Sequence, residues 1–289
     1  MPSLLRPLCA VLLLLSCARS FAAEPGPSLN VMTFNLRYAS DKGPNSWPER
    51  RPVVREVLQK FAPDVIGTQE GVYHQLRDIA ADSPEYAWLG VGREGGSRGE
   101  FMAVFYRPER LEPLEFDHFW LSDKPEVIGS KSWGNNVIRM VTWVKFLDRQ
   151  AGRPFYFINT HFDHEVQASR EKSAELLIER SKKLDPALPI VLVADFNAAA
   201  EDNRVYDLIT GAGFADAWKL AAKRTNEVGT FHGFNGPRPG GARIDWILLK
   251  PKGEVLSAET VVLEKNGQYP SDHCPVVAQV RLEWPEAKP

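Results

Sequence analysis

The stretch Ile190-Val191-Leu192-Val193-Ala194-Asp195-Phe196-Asn197 decides the fold class. Its first five residues are apolar and largely β-branched, with nothing polar to face water, so the run reads as a strand buried on both faces. It then breaks into Asp195 and Asn197, two polar, metal-competent residues at a strand end, where an α/β scaffold presents its chemistry.

Outward from this run the chain alternates short apolar segments with helical patterns. Val166 to Leu184 is the clearest helix, charged on one face and carrying Ala174, Leu177 and Ile178 on another. Further strands are predicted at Leu29 to Leu36, Asp64 to Thr68, Ala87 to Val91, Met102 to Tyr106, Asn136 to Phe146, Phe155 to Thr160, Ile244 to Leu249 and Val276 to Val280. Arg50 to Phe61 has apolar residues at helical spacing and is stopped by Pro63, and Val72 to Ala81 is a second such helix. No internal repeat or linker interrupts the pattern, and the Gly/Pro-rich stretch 235–241 is a loop too short to divide domains. One domain of mixed α/β character follows.

Composition agrees. The 289 residues are 44% hydrophobic, with 35 basic and 37 acidic side chains, which excludes a disordered tail, a coiled coil or a collagen-like rod. Residues 1–22 are expected to be a secretory signal peptide: Arg6, an apolar run from Leu8 to Leu15 too short for a bilayer, and small residues around a cut after Ala22. The domain would then occupy 23–289. Leu14-Leu15-Ser16-Cys17 offers an alternative, a lipoprotein box with a lipid anchor at Cys17. Removing 1–22 takes two of the 35 bases and no acid, leaving net −4. Such a surface does not attract long nucleic acid as a basic stripe would, and no stable nucleic-acid complex is expected. Only Cys274 remains, so no internal disulfide forms; a bacterial periplasm, cell envelope or secreted location fits. No later segment is apolar enough to cross a membrane, and a monomer is expected.

Polar residues fall repeatedly at strand ends: Asn35, Glu70, His161 with Asp163, Asp195 with Asn197, Asp245, and Asp272-His273. Singly, each has an ordinary reading, a carboxylate as a helix or turn cap, a histidine as a satisfied structural side chain. Jointly they suit hydrolysis at phosphorus. Asn35, Glu70 and Asp272 are hard oxygen donors that favour Mg²⁺, with Mn²⁺ or Ca²⁺ as alternatives, over Zn²⁺. Asp195 can polarise a water while Asn197 orients it. His161 and His273, if protonated, can donate to phosphoryl oxygens, with Asp245 holding His273 in one tautomer.

The blocks Met32-Thr33-Phe34-Asn35, Thr68-Gln69-Glu70, Asn159-Thr160-His161-Phe162-Asp163, Ala194-Asp195-Phe196-Asn197, Arg243-Ile244-Asp245-Trp246 and Ser271-Asp272-His273-Cys274-Pro275 stand in the order seen in the endonuclease/exonuclease/phosphatase superfamily, which the chain resembles. The resemblance implies a deoxyribonuclease I-like fold, a four-layer α/β/β/α sandwich with two packed mixed sheets and outer helices. It implies Glu70 as the main metal ligand, with Asn35 and Asp272 in or beside the metal shell. Asp195 would align or deprotonate the attacking water with help from Asn197, His161 and His273 would flank the phosphate, and Asp245 would back His273. Glu100 matches an acidic residue that pairs with the histidine at position 161 in deoxyribonuclease-like members.

Within the superfamily the chain looks most like a group of exported bacterial proteins. Arg139 is a candidate phosphate contact, since a guanidinium fork matches phosphate oxygens. Trp47 and Trp133 lie in loops that could rim the site, and His232 could touch substrate. Arg50-Arg51 and Lys182-Lys183 read as solvated helix faces. Missing are a DNA-tracking basic helix, a hydrophobic membrane hairpin and the signatures of inositol polyphosphate 5-phosphatases. The expected activity is hydrolysis of a phosphodiester or phosphomonoester by direct water attack, on a small sugar-linked or lipid-linked phosphate. An extracellular nuclease is the alternative, and a non-catalytic binding module a remote one.

Overall fold

The computed structural model describes residues 26–40 and 42–285, so the expected signal cut after Ala22 and the lipidation signal at Cys17 lie outside the described residues. In chain order the strands are β1 (Leu29–Asn35), β2 (Val65–Gln69), β3 (Gly71–Val72), β4 (Ala87–Leu89), β5 (Glu100–Phe101), β6 (Val104–Tyr106), β7 (Leu111–Trp120), β8 (Met140–Asp148), β9 (Arg153–His161), β10 (Ile190–Asp195), β11 (Ala215–Asp216), β12 (Lys223–Thr225), β13 (Asp245–Lys250), β14 (Glu254–Thr260) and β15 (Val276–Arg281). The helices are α1 (Trp47–Phe61), α2 (Tyr73–Asp82), α3 (Gln167–Ser181), α4 (Arg204–Gly211) and α5 (Ala217–Leu220).

One mixed sheet has the order β12-β14-β15-β1-β2-β6-β4, the other β11-β13-β10-β9-β8-β7. Strand periodicity sorts their side chains into three cores. Val31, Val65 and Ala278 of the first sheet pack against Phe157, Val193 and Ile247 of the second, forming the layer between the sheets. Met32, Phe34 and Ile66 point the other way, onto Val53, Val57 and Leu76 of α1 and α2. Tyr156, Leu192 and Trp246 likewise back onto Leu177, Val205 and Ile209 of α3 and α4. The four layers are α/β/β/α, as the family resemblance implies. At Gly67 the sheets approach so closely that a Cβ would lie 2.3 Å from Val193 Cγ2, so only glycine fits there.

The inner stripes position the functional residues. Val31, Thr33 and Asn35 alternate toward the inter-sheet layer, as do Phe155, Phe157, Asn159 and His161, and Val191, Val193 and Asp195. Register places Asp195 beside His161 on one side and beside Asp245 on the other. Apolar residues hold the middle of each stripe, and polar residues take over where the stripes reach the end of the sandwich. Among the described residues no helix is long and apolar enough to cross a membrane.

Candidate active site

A cavity of about 430 Å³ opens at that end, and Glu70, His161, Asp195, Asn197, Asp272 and His273 all line it. Asn35 is its hub. The Asn35 Nδ2 donates to Glu70 Oε1 at 3.0 Å and to Asp195 Oδ2 at 2.9 Å, and lies 3.4 Å from His273 Nε2. Its Oδ1 accepts from the Arg37 amide at 2.9 Å. Arg37, Glu70 and Asn197 have positive φ values of 52°, 62° and 50°. Three non-glycine residues in the left-handed region around one pocket is backbone strain of the kind that collects at functional sites.

His273 Nδ1 donates to Asp245 Oδ2 at 3.0 Å, and its Nε2 lies 3.7 Å from Asp195 Oδ2. Burial would lower its pKa, but the carboxylates of Asp245 and Asp195 outweigh burial and push it up to about 10, so the ring is cationic at neutral pH. Asp195 is fully buried beside Asp245, and burial followed by that neighbouring charge raises it to about 7, a value suited to a general base. Its Oδ1 accepts from the Asn197 amide at 2.9 Å.

Glu70, Asp195 and His273 bring candidate ligand atoms within 4.8 Å of one another. The cationic His273 has no lone pair to offer, so the available donors are carboxylates. Burial pushes the Glu70 carboxyl up, but the Asn35 hydrogen bond and the His273 charge outweigh it and hold Glu70 below its ordinary value. Asp272 joins the cluster through Arg37, whose guanidinium lies 3.9 Å from Glu70 and 3.6 Å from Asp272. Carboxylate oxygens gathered this closely form a hard donor set that fits Mg²⁺, Mn²⁺ or Ca²⁺.

Several sequence expectations are corrected. Glu100 does not pair with His161; it pairs with Arg93 at 2.7 Å in the cavity wall. His161 is not cationic, because complete burial and then the Arg139 charge drive its pKa well down. The Asn197 Nδ2 donates to the Phe162 carbonyl at 3.1 Å and lies 2.9 Å from His161 Nε2, which is also 3.3 Å from Asp195 Oδ2. Trp133 does not line the cavity; its Nε1 donates to Asp123 and it packs against the outer core of the second sheet. Trp47 is buried at the start of α1 and bonds Asp78. His232 is also outside the cavity wall, and its backbone amide instead donates to the Asp272 carbonyl at 2.9 Å.

Arg50 is the largest departure. It is fully buried rather than solvated, and burial lowers its pKa to about 10. It donates to the carbonyls of Leu36, Arg37, Tyr38, Asn45 and Pro270, tying the loop after β1 to the loop that carries Asp272. Arg51 pairs with Asp78 and Asp82. Arg37, Tyr38, Arg93 and Phe231, to which the sequence alone gave no role, also line the cavity. Arg139, a predicted contact, lines it too.

The model of the endonuclease/exonuclease/phosphatase family matches residues 32–273. The crystal structure of an endonuclease/exonuclease/phosphatase from Bacteroides vulgatus is 34% identical, covers 89% of this chain and 100% of its own, and superposes with a TM-score of 0.84. A Bacteroides thetaiotaomicron mannosyl-6-phosphatase is 32% identical, covers 88% of this chain and 100% of its own, with a TM-score of 0.82. An uncharacterized protein of Acanthamoeba polyphaga mimivirus is 27% identical over 219 residues, 73% of this chain and 80% of the viral protein.

Proposed function

The chain belongs to the endonuclease/exonuclease/phosphatase family, whose members are metal-dependent phosphoester hydrolases, and on that premise we propose that it releases phosphate from a small sugar-linked or lipid-linked ester by direct attack of water. One observation carries the reading: a buried carboxylate raised toward neutrality, Asp195, and a cationic imidazole, His273, meet at one amide, Asn35, inside a single cavity. Asp195 takes the proton of the attacking water. His273 donates to the phosphoryl oxygen that gains charge, with Asp245 fixing its ring. Glu70 and Asp272, with Asn35 beside them, would hold the divalent cation, which supplies charge to neutralise the phosphate and the leaving oxygen.

The cavity mouth supports a small organic group. Tyr38 and Phe231 are 43% and 54% exposed, and the Phe231 ring sits 5.0 Å from that of His273. Exposed aromatic faces beside a phosphate pocket suit stacking on a sugar ring. Similarity to a mannosyl-6-phosphatase points the same way. Residues 1–22 add export to this reading, with the enzyme working in the periplasm, the envelope or the medium. The intact mass of the mature protein would distinguish a free N-terminus from a lipid on Cys17.

The test is a phosphate-release screen over sugar, inositol, lipid and nucleotide phosphates with Mg²⁺, Mn²⁺ or EDTA. Release from a sugar or lipid phosphate, abolished by EDTA and reduced roughly 100–1000-fold by Glu70→Ala, is expected. Silence on every ester with every metal would sink the reading, and rapid plasmid nicking without release from small esters would replace it with a nuclease.

A further inference from the structure

Just beyond His161, in the bend that leaves β9, a second histidine lines the active cavity, and the chemistry of Asp195 and His273 makes no use of it. The His164 side chain is 49% exposed, yet it is held from behind. Arg139 Nη2 lies 3.2 Å from its Nδ1. A guanidinium has only hydrogens to give, so Nδ1 accepts and the ring proton sits on Nε2. Arg139 is itself 4% exposed, with Glu100, Asp195 and Asp163 supplying opposite charge around it, which makes it a fixed anchor. The backbone is pinned as well. Asp163 Oδ1 accepts from the amides of Glu165 at 3.0 Å and Val166 at 2.7 Å, and Arg170 donates to the Asp163 carbonyl at 2.9 Å. Among the described residues the one acid near Nε2 is Glu165, 3.6 Å away and beyond a hydrogen bond. An exposed imidazole ordinarily turns freely. This one is fixed in place and in tautomer, with an unspent N–H at the cavity wall.

We propose that His164 is a specificity-determining residue, donating from Nε2 to a hydroxyl or ring oxygen of the organic group that carries the phosphate, with Arg139 as the positioning residue that holds it. This rests on the phosphoesterase reading above and deepens it by assigning the substrate a sugar. With its one lone pair taken by Arg139, the ring can only donate, so it selects for an acceptor. A sugar satisfies both features of the cavity mouth: its C–H faces cover the Tyr38 and Phe231 rings, and its oxygens receive the His164 proton. An alkyl chain would cover the same rings but take the N–H out of water with no partner, at a cost in binding.

The test uses glucose 6-phosphate and cyclohexylmethyl phosphate, which share one outline with and without the oxygens. In kcat/KM the native protein is expected to favour the sugar by at least about tenfold. His164→Ala should cut that preference roughly 3–10-fold, with the loss falling on KM rather than kcat, and His164→Gln, which keeps an N–H, should retain part of it. A native protein indifferent to the two esters overturns the proposal. So does a His164→Ala protein whose preference is unchanged, or one that loses both esters by the same factor. A nitrogen-15 NMR spectrum that puts the His164 proton on Nδ1 would overturn it independently of turnover. Titration calorimetry with the matching phosphonates, whose P–C bond water does not break, separates this subsite from the hydrolase reading. A sugar preference in binding that depends on His164, without turnover of either ester, upholds the subsite and defeats the hydrolase.

Discussion

Asp245 shows how much one buried carboxylate can do from behind. It does not line the cavity, yet its charge, with that of Asp195 and its own hydrogen bond, overcomes burial and holds a proton on His273 up to about pH 10. If turnover needs that proton, the alkaline limb of the pH–rate profile reports its loss. Asp245→Asn removes the charge, so the limb should move to lower pH by at least about one unit, with a lower kcat. An unmoved limb would mean that Asp245 does not tune His273. The raised pKa also has a stability sign: the pair's contribution is complete below pH 6.5 and is lost as pH rises through 10. At this scale the sequence was readable where chemistry dictates residue type. Asn35, Glu70, His161, Asp195, Asn197, Asp272 and His273 meet as their motifs suggest. It was not readable where long side chains choose partners. Arg50 and Arg51 are adjacent identical letters, yet one is caged by carbonyls and the other sits on a half-exposed ion pair. Glu100 likewise pairs with Arg93, seven positions earlier, and not with the histidine that the resemblance implies.

Among the elements, β9 links structure to chemistry. His161 ends it, and two residues earlier Asn159 bridges the sheets. The Asn159 Nδ2 donates to the carbonyls of Thr68 and Ala103 at 2.9 Å, and its Oδ1 accepts from Gln69 Nε2 at 2.7 Å. This polar clasp lies where Gly67 lets the layers approach. Asn159→Ala should therefore destabilise the fold by roughly 2–3 kcal/mol in urea unfolding, because buried partners lose their hydrogen bonds. A change below about 0.5 kcal/mol would show that the clasp is not a structural tie. Element legibility followed burial. The central strands, apolar on both faces, were found within a few residues. The edge strand β7 was missed, because its middle, Glu115 to Asp117, faces solvent and Pro113 sits at a bulge in its pairing with β8. β14, with Ser257 and Glu259 facing outward, carried a pattern too weak to stand alone, and α4, though amphipathic, is only eight residues long.

Across the whole molecule the cavity is divided between two sheets. Glu70 comes from the first, at the end of β2, and His161 and Asp195 from the second, at the ends of β9 and β10. A cation held by Glu70 and Asp272, which only the folded chain brings together, would bind the folded protein and not the unfolded chain. At 100 times its dissociation constant it would contribute about 2.7 kcal/mol. Mg²⁺ or Mn²⁺ should thus raise the Tm by roughly 5–10 °C over an EDTA-treated sample, and Glu70→Ala should lose most of the rise. Equal shifts in both proteins would place the cation elsewhere.

The hydrogen bond from Asn35 to Asp195 crosses from one sheet to the other, joining residues 160 positions apart in the chain. Neither half of the sandwich can acquire the hub without the other. A refolding chain with well-made helices and one finished sheet would be catalytically silent, and recovered turnover would clock the moment at which the halves dock.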